Sequence, residues 1–490
     1  MNKKLQGIAF LIPLILLTTC QSETTTIQTK EGQVEINSVE LLQTIGEAYV
    51  FGYPLVLMDL TKRVSTNIEQ PHPTRARAPI NQLGHYRNFP DHTMKAVVKP
   101  NVDTYYTIAW FDLEAEPQVL FMPATDRYYL LPFYDAYSNV FATPGTRTTG
   151  TGAHTFLITG PNWKGDTPDG MQLLQAPTNM VWMIGRIQVN STEDGATTVK
   201  AIQDGMKLIP LSAYGQEDYT PPIVERNPEQ QDVIPVKTVR EIDISTYLNR
   251  VAQLLVTNPP KAADSLMLKK MAKIGLVPGQ PFELSTDNLI VKTKLGALPE
   301  FIHKRMETRR ANPDPNILSN GWTLIKEGIG EYGTDYSRRA YIDFVGLGAN
   351  LPEDSAYPSS IFDINGDPLE ASKPYQLHFE AGQLPPVNAF WSITAYNADD
   401  FLVENKWNRF ALGDRDDLKY NKDGSLDLYF QTNPPKEEYF SNWLPIPKEG
   451  KFTLTLRLYW PKEEVRNGGC LLYTSPSPRD ATLSRMPSSA

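Results

Sequence analysis

A change of hydrophobic period constrains this chain most. From Val97 onward apolar and aromatic residues recur at every second position, in VDTYYTIAWFDL at 102–113, RYYLLPFYDAYSNVF at 127–141, HTFLITGP at 154–161 and VWMIGRIQV at 181–189. Successive side chains on a strand face opposite ways, so these runs predict β-strands. Pro, Gly and Asn turns separate them, and several short strands so spaced indicate a sandwich or barrel. The pattern returns between about Tyr341 and Pro461, in YQLHFE at 375–380, AFWSITAYN at 389–397, SLDLYFQT at 425–432 and KFTLTLRLYW at 451–460.

The intervening stretch has helical spacing, in Ile244–Thr257, Pro260–Ile274, Leu298–Arg309 and Thr323–Ile329. Ahead of the first block, Ser38–Arg63 carries Leu41, Leu42, Ile45, Ala48 and Tyr49 on one helical face, interrupted at Gly52 and Pro54, as one bent helix or two. The expected fold class is therefore mainly β with a helical connector (α+β). A helix plus β domain spans 37–195, a connector 196–340 and a second β domain 341–469. The 40 Pro, 31 Gly and 50 aromatic side chains fit many short strands joined by turns.

Charge and motif content narrow the function classes. With 47 basic against 56 acidic residues and no long Lys/Arg block, the footprint of a nucleic-acid binder is missing, and no nucleic-acid partner is expected. Two Cys are too few for a disulfide framework or a thiolate zinc cluster. Neither a GxxxxGK[ST] loop nor a strand-associated GxGxxG occurs, so no nucleotide cofactor is expected. The glycine-rich run 145–152 reads as a loop between strands.

Residues 1–20 combine Lys3 and Lys4 with an apolar run from Ile8 to Leu17, of export-signal rather than spanning length. The segment resembles a bacterial lipoprotein signal, with Leu17-Thr18-Thr19-Cys20 at the lipobox position. The resemblance implies lipidation of Cys20 and attachment to a membrane through the lipid, in the cell envelope. The polar stretch 21–36 then reads as a flexible tether. At the other end, 470–490 loses the alternation, reads as adaptor-derived sequence rather than natural protein, and is expected to be disordered.

Five long segments carry a wider resemblance: 98–113, 128–150, YGTDYSRRAYIDFVGLGANLPEDSAYP at 332–358, PPVNAFWSITAYNADDFLVENKWNRF at 385–410, and 442–464. In order and content they resemble the bacterial envelope family built from domains of unknown function twelve-fifty-four and twelve-fourteen. That resemblance implies two jelly-roll-like β-sandwich domains joined by helices, and no assigned reaction.

The six His (His72, His85, His92, His154, His303, His378) form no zinc-ligand spacing, and no metal is expected. Ser392 lies on an alternating strand without a GxSxG elbow. The sharper constellation is polar groups within aromatic strands: Asp103 with Tyr105, Tyr134 with Asp135, and Arg147 in the following loop. Alternation places Tyr105 on the face of Asp103. If these line a cavity, they would bind a hydroxylated ligand or act as acid and base. The other reading is a satisfied network fixing loop geometry.

Trp391, Tyr396 and Trp443 would supply a stacking platform for sugar rings, or else core. The expected protein is an exported lipoprotein, a hydrolase or lyase acting on a small polar or glycan-like substrate. The alternatives are a non-catalytic ligand- or glycan-binding protein and a structural protein that forms homo-oligomers.

Overall fold

The computed structural model describes residues 24–29, 32–94, 99–230, 233–284, 286–312, 318–319, 321–467 and 476–478. The proposed signal, Cys20 and Cys470 lie outside these residues.

The period-two runs form two sandwiches. In the first, one sheet runs in the order Gln172–Gln175, His154–Thr159, Gln118–Met122, Lys207–Pro210. The other is built on Thr104–Asp112 paired antiparallel with Met180–Gln188, flanked by Gly84–His85, Phe133–Tyr134 and Val140–Ala142. Tyr105, Phe111, Leu120, Phe133, Ile158 and Met183 fill the space between them. In the second sandwich, Phe452–Pro461 pairs with Val387–Asn397 in one sheet, and Tyr375–Phe379 with Leu426–Gln431 in the other. Leu377, Trp391, Ile393, Leu428, Leu454 and Leu456 form that core.

The helices do more than connect. Ser38–Thr66 is one continuous helix carrying Pro54 inside it, N-capped by the Asn37 side chain. It is long and apolar enough to cross a membrane, but 83% of its most apolar stretch is buried within the protein. Its faces are covered by Pro235–Glu241, Ile244–Thr257, Ser265–Lys273, Leu289–Ala311 and Tyr336–Gly346. Gly52 permits a close approach of the helices, since a Cβ there would lie 2.5 Å from Val251 Cγ2. The expected connector is thus a third layer, and its apolar face packs on Trp110, Trp182 and Ile184 of the first sandwich. The boundary at 340/341 also shifts: Trp322–Thr323 pairs into the second sandwich, whereas Tyr336–Gly346 packs with the helices.

The stretch expected to be a tether is a hairpin, with Thr24–Thr29 antiparallel to Gly32–Asn37. Its alternation buries Thr25, Ile27 and Ile36, and Thr25 hydrogen-bonds Ser38 at the start of the long helix. Of the stretch expected to be disordered, 476–478 are described, and Ser477–Pro478 pairs with Tyr375–Gln376.

Candidate functional site

Strand parity decides which side chains could serve a site. On Thr104–Asp112 and Met180–Gln188 the odd-numbered residues Tyr105, Ala109, Phe111, Val181, Met183 and Ile187 point into the first sandwich. Even-numbered Tyr106 and Arg186, cross-strand partners, occupy the opposite face. In the second sandwich Leu454, Leu456 and Leu458 point inward, which turns Thr455, Arg457 and Tyr459 outward, together with Ser392 and Tyr396 of the paired strand. The two outward faces meet. Tyr128 and Leu130 of the first sandwich pack on Phe390 and Tyr459 of the second, and the Phe390 and Tyr459 rings stack at 4.3 Å.

This junction is polar and closely bonded. Asn101 Nδ2 donates to Tyr459 Oη at 2.7 Å, Ser392 Oγ to Asp103 Oδ2 at 2.7 Å, and Tyr396 Oη to the Pro100 carbonyl at 2.9 Å. Arg415 ion-pairs with Asp103 and donates to Val189 O at 2.6 Å. Arg147 grips Asp354 through Nε at 2.7 Å and Nη2 at 3.1 Å. Burial pushes the Asp354 carboxyl up, and Arg147 opposes that shift.

Two guanidiniums have no such partner. Arg186 and Arg457 are 7% and 6% exposed, and among the described residues neither forms an ion pair with a carboxylate. Arg186 donates to Ile184 O at 2.9 Å, and its guanidinium carbon lies 5.3 Å from the Tyr106 ring centre. Arg457 donates to Lys99 O at 2.8 Å and to Tyr396 Oη. Among the described residues the Nε of each is buried without a hydrogen-bond partner. Tyr357 and Tyr459 neighbour both arginines, while Tyr106 and Tyr134 neighbour Arg186. Burial holds the Tyr134 and Tyr459 phenols well above their ordinary range, so both stay neutral. Tyr106 and Tyr357 are half-buried.

The residues singled out from sequence divide between this junction and other places. Asp103, Tyr134, Arg147 and Tyr396 belong to it. Tyr105 faces the sandwich interior against Phe89. Asp135 is sealed in its own turn, accepting from Tyr137 N and Asn139 N at 2.9 Å each, with Lys261 Nζ at 3.5 Å. The expected convergence of Asp103 with Asp135 does not occur. Thr104 pairs with Gln188 and Tyr134 with Trp182, and six residues of strand are about 20 Å. Nor do the aromatics form a platform: Trp391 and Trp443 are 2% and 0% exposed, with Trp443 Nε1 donating to Gln431 O at 2.8 Å. Sandwich packing needs large apolar groups, and these tryptophans supply it.

Sequence reading passed over Arg186 and Arg457, although each is a lone cation inside an apolar run. Among the described residues no group of three or more His, Cys, Asp and Glu is arranged to hold a metal ion.

A second buried polar group lies under the helices. Ser138 Oγ donates to Asp343 Oδ2 at 2.8 Å, while among the described residues Asp343 Oδ1, Tyr53 Oη and Arg339 Nε are buried without hydrogen-bond partners. Burial pushes the Asp343 carboxyl up to about 8.

Comparison with known proteins matches this architecture. The model of a protein of unknown function, DUF1254, matches residues 80–210, and that of another, DUF1214, matches 354–463. No curated protein matches. The crystal structure of the VPA0106 protein from Vibrio parahaemolyticus superposes with a TM-score of 0.65 at 24% identity, covering 90% of this chain and 100% of that one. A putative uncharacterized protein from Burkholderia cenocepacia gives 0.41 at 11% identity, over 90% and 94%. The first likeness concerns the fold alone. The DUF1254 match falls on the first sandwich and the DUF1214 match on the second, so the two family models meet the two domains that the sequence resemblance named, one on either side of the junction.

Proposed function

We propose that the junction binds a small anionic molecule bearing a carboxylate, sulfate or phosphate, and that the protein does so as an exported lipoprotein of the cell envelope. One observation carries the binding reading. Among the described residues, two buried guanidiniums, one from each sandwich, form no ion pair with a carboxylate: Asp103, which acts on Arg457 only at a distance, and Asp354 are paired with Arg415 and Arg147. A buried charge is costly unless compensated, and an anion would supply what the protein does not. Guanidinium groups present planar, forked donors suited to such oxyanions, and the surrounding phenols can bond hydroxyl groups of the same ligand. A hydrolase or lyase role has less support, because the carboxylates beside the junction are ion-paired rather than poised to move protons.

Titration calorimetry with phosphate, sulfate and glucuronate tests this reading. At least one anion binds the parent, and Arg186→Gln or Arg457→Gln weakens it about tenfold or more, corresponding to loss of a charge-assisted contact. Unchanged affinity in both variants, or no binding of any of the three at millimolar concentration, overturns it. The envelope location rests on the lipobox resemblance. Cys20→Ser should move the protein from the membrane to the soluble fraction, and continued membrane retention refutes lipidation.

A further inference from the structure

Because Thr24–Thr29 and Gly32–Asn37 form a hairpin rather than a tether, little chain remains between the proposed lipid site and the folded body. Only Gln21, Ser22 and Glu23 separate Cys20 from Thr24, and four residues of fully extended backbone span at most about 14 Å. A tether through 21–36 would have reached roughly four times as far.

The hairpin is itself held to the helical layer. Ile27 and Ile36 are buried in the helical core, and Val34 packs on it. Thr25 hydrogen-bonds Ser38, and Asn37 Oδ1 accepts from Val39 N at 2.9 Å and Glu40 N at 3.3 Å. Thr24 pairs with Asn37, so the start of the hairpin lies beside the start of the long helix. Lys273 Nζ lies 3.5 Å from Glu40, which brings the end of Ser265–Lys273 to the same place. Phe51 lies about 20 Å further along the helix axis and packs on Tyr137 of the first sandwich, with 5.9 Å between ring centres.

We infer that this end of the helical layer, made by the hairpin, the start of Ser38–Thr66 and the end of Ser265–Lys273, is the surface that faces a lipid bilayer, with the long helix as a spacer between membrane and sandwiches. The inference rests on the lipidation of Cys20 proposed above. Acyl chains on Cys20 insert in the bilayer, and a linker of three residues then holds the docked hairpin next to the headgroups.

Energy transfer from a fluorophore on the protein to an acceptor-labelled lipid tests this orientation. The full chain carrying Cys470→Ser is extracted from membranes and labelled at Gln33→Cys, exposed on the hairpin, or at Gln70→Cys, exposed past the far end of the long helix, then reconstituted in phosphatidylcholine vesicles. Ser38–Thr66 is about 40 Å long, so transfer from position 33 should be several times that from position 70. Circular dichroism confirms that each variant is folded, and Glu35→Cys replaces Gln33→Cys if that variant is not. Mass spectrometry of the N-terminal peptide separates the two readings. An unacylated Cys20 removes the lipoprotein reading and this inference with it, whereas an acylated protein with equal transfer from both positions, or greater transfer from position 70, overturns the inference alone.

Discussion

Replacing Arg186 by Met separates a structural arginine from one held ready for a ligand. The side chain is 7% exposed, donates to Ile184 O at 2.9 Å, is hydrogen-bonded to Tyr134, and among the described residues leaves Nε unpartnered. An unpaired buried ion carries a desolvation penalty of several kcal/mol even after relaxation. The carbonyl bond offsets roughly 1–2 kcal/mol of that, and the contact with Tyr106 about 1 kcal/mol more. Met fills a similar volume without charge, so Arg186→Met should raise the unfolding free energy by about 1–3 kcal/mol in buffer free of oxyanions.

The ligand reverses the order. At a hundred times its dissociation constant an anion adds about 2.7 kcal/mol to the parent, and the variant should gain almost none. Urea unfolding with and without the anion identified by calorimetry measures both effects. If Arg186→Met instead loses about 3–5 kcal/mol without ligand, the cost of breaking an existing buried pair, the guanidinium is already compensated within the protein and the binding argument fails.

Two further substitutions probe the buried carboxylates. Arg147→Ala leaves the fully buried Asp354 carboxylate without its bidentate partner and should cost about 3–5 kcal/mol, with Arg147→Ala/Asp354→Asn recovering much of the loss; equal losses by urea unfolding in the single and double variants would refute the pairing. For Asp343, burial raises the folded-state value above the unfolded one, so its contribution is full below pH ~4 and lost as the pH rises to about 8. Asp343→Asn should therefore gain stability relative to the parent across that window, by up to ~1.4 kcal/mol per pH unit, and a difference independent of pH would contradict the assignment.

The β architecture was legible because period-two alternation is a local property: Thr104–Asp112 and Phe452–Pro461 declare themselves as strands without reference to the rest of the chain. The helical layer was not, because its coherence depends on contacts between residues far apart in sequence. Tyr49 stacks on Tyr247 at 4.2 Å and approaches His303 at 3.3 Å, and no local pattern announces that 196–340 must return to cover Ser38–Thr66. The hairpin at 24–37 was hidden by composition: its Thr and Gln residues look like a tether until Ile27 and Ile36 are placed on one face.

Asp103, Tyr134 and Arg147 do reach the junction, but Arg186 was lost by a single step of parity. An odd-numbered face carrying Asp103 and Tyr105 looks chemically richer than an even-numbered face carrying Tyr106, but once each sandwich has turned its apolar residues inward, the opposite face is the one that meets the neighbouring sandwich or helices. A strand covered on both faces reads as a nearly continuous apolar run, and in such a run a charged residue has no route to bulk water except along the strand. Arg186 within VWMIGRIQV and Arg457 within LTLRLYW meet that condition. Their placement is a cost that folding alone does not require, since Met or Leu would fill either position. Part of what they hold is visible in the Lys99 carbonyl and the Tyr396 hydroxyl bonded by Arg457, and on the proposed reading an anionic guest would supply the remainder, at Arg186 above all.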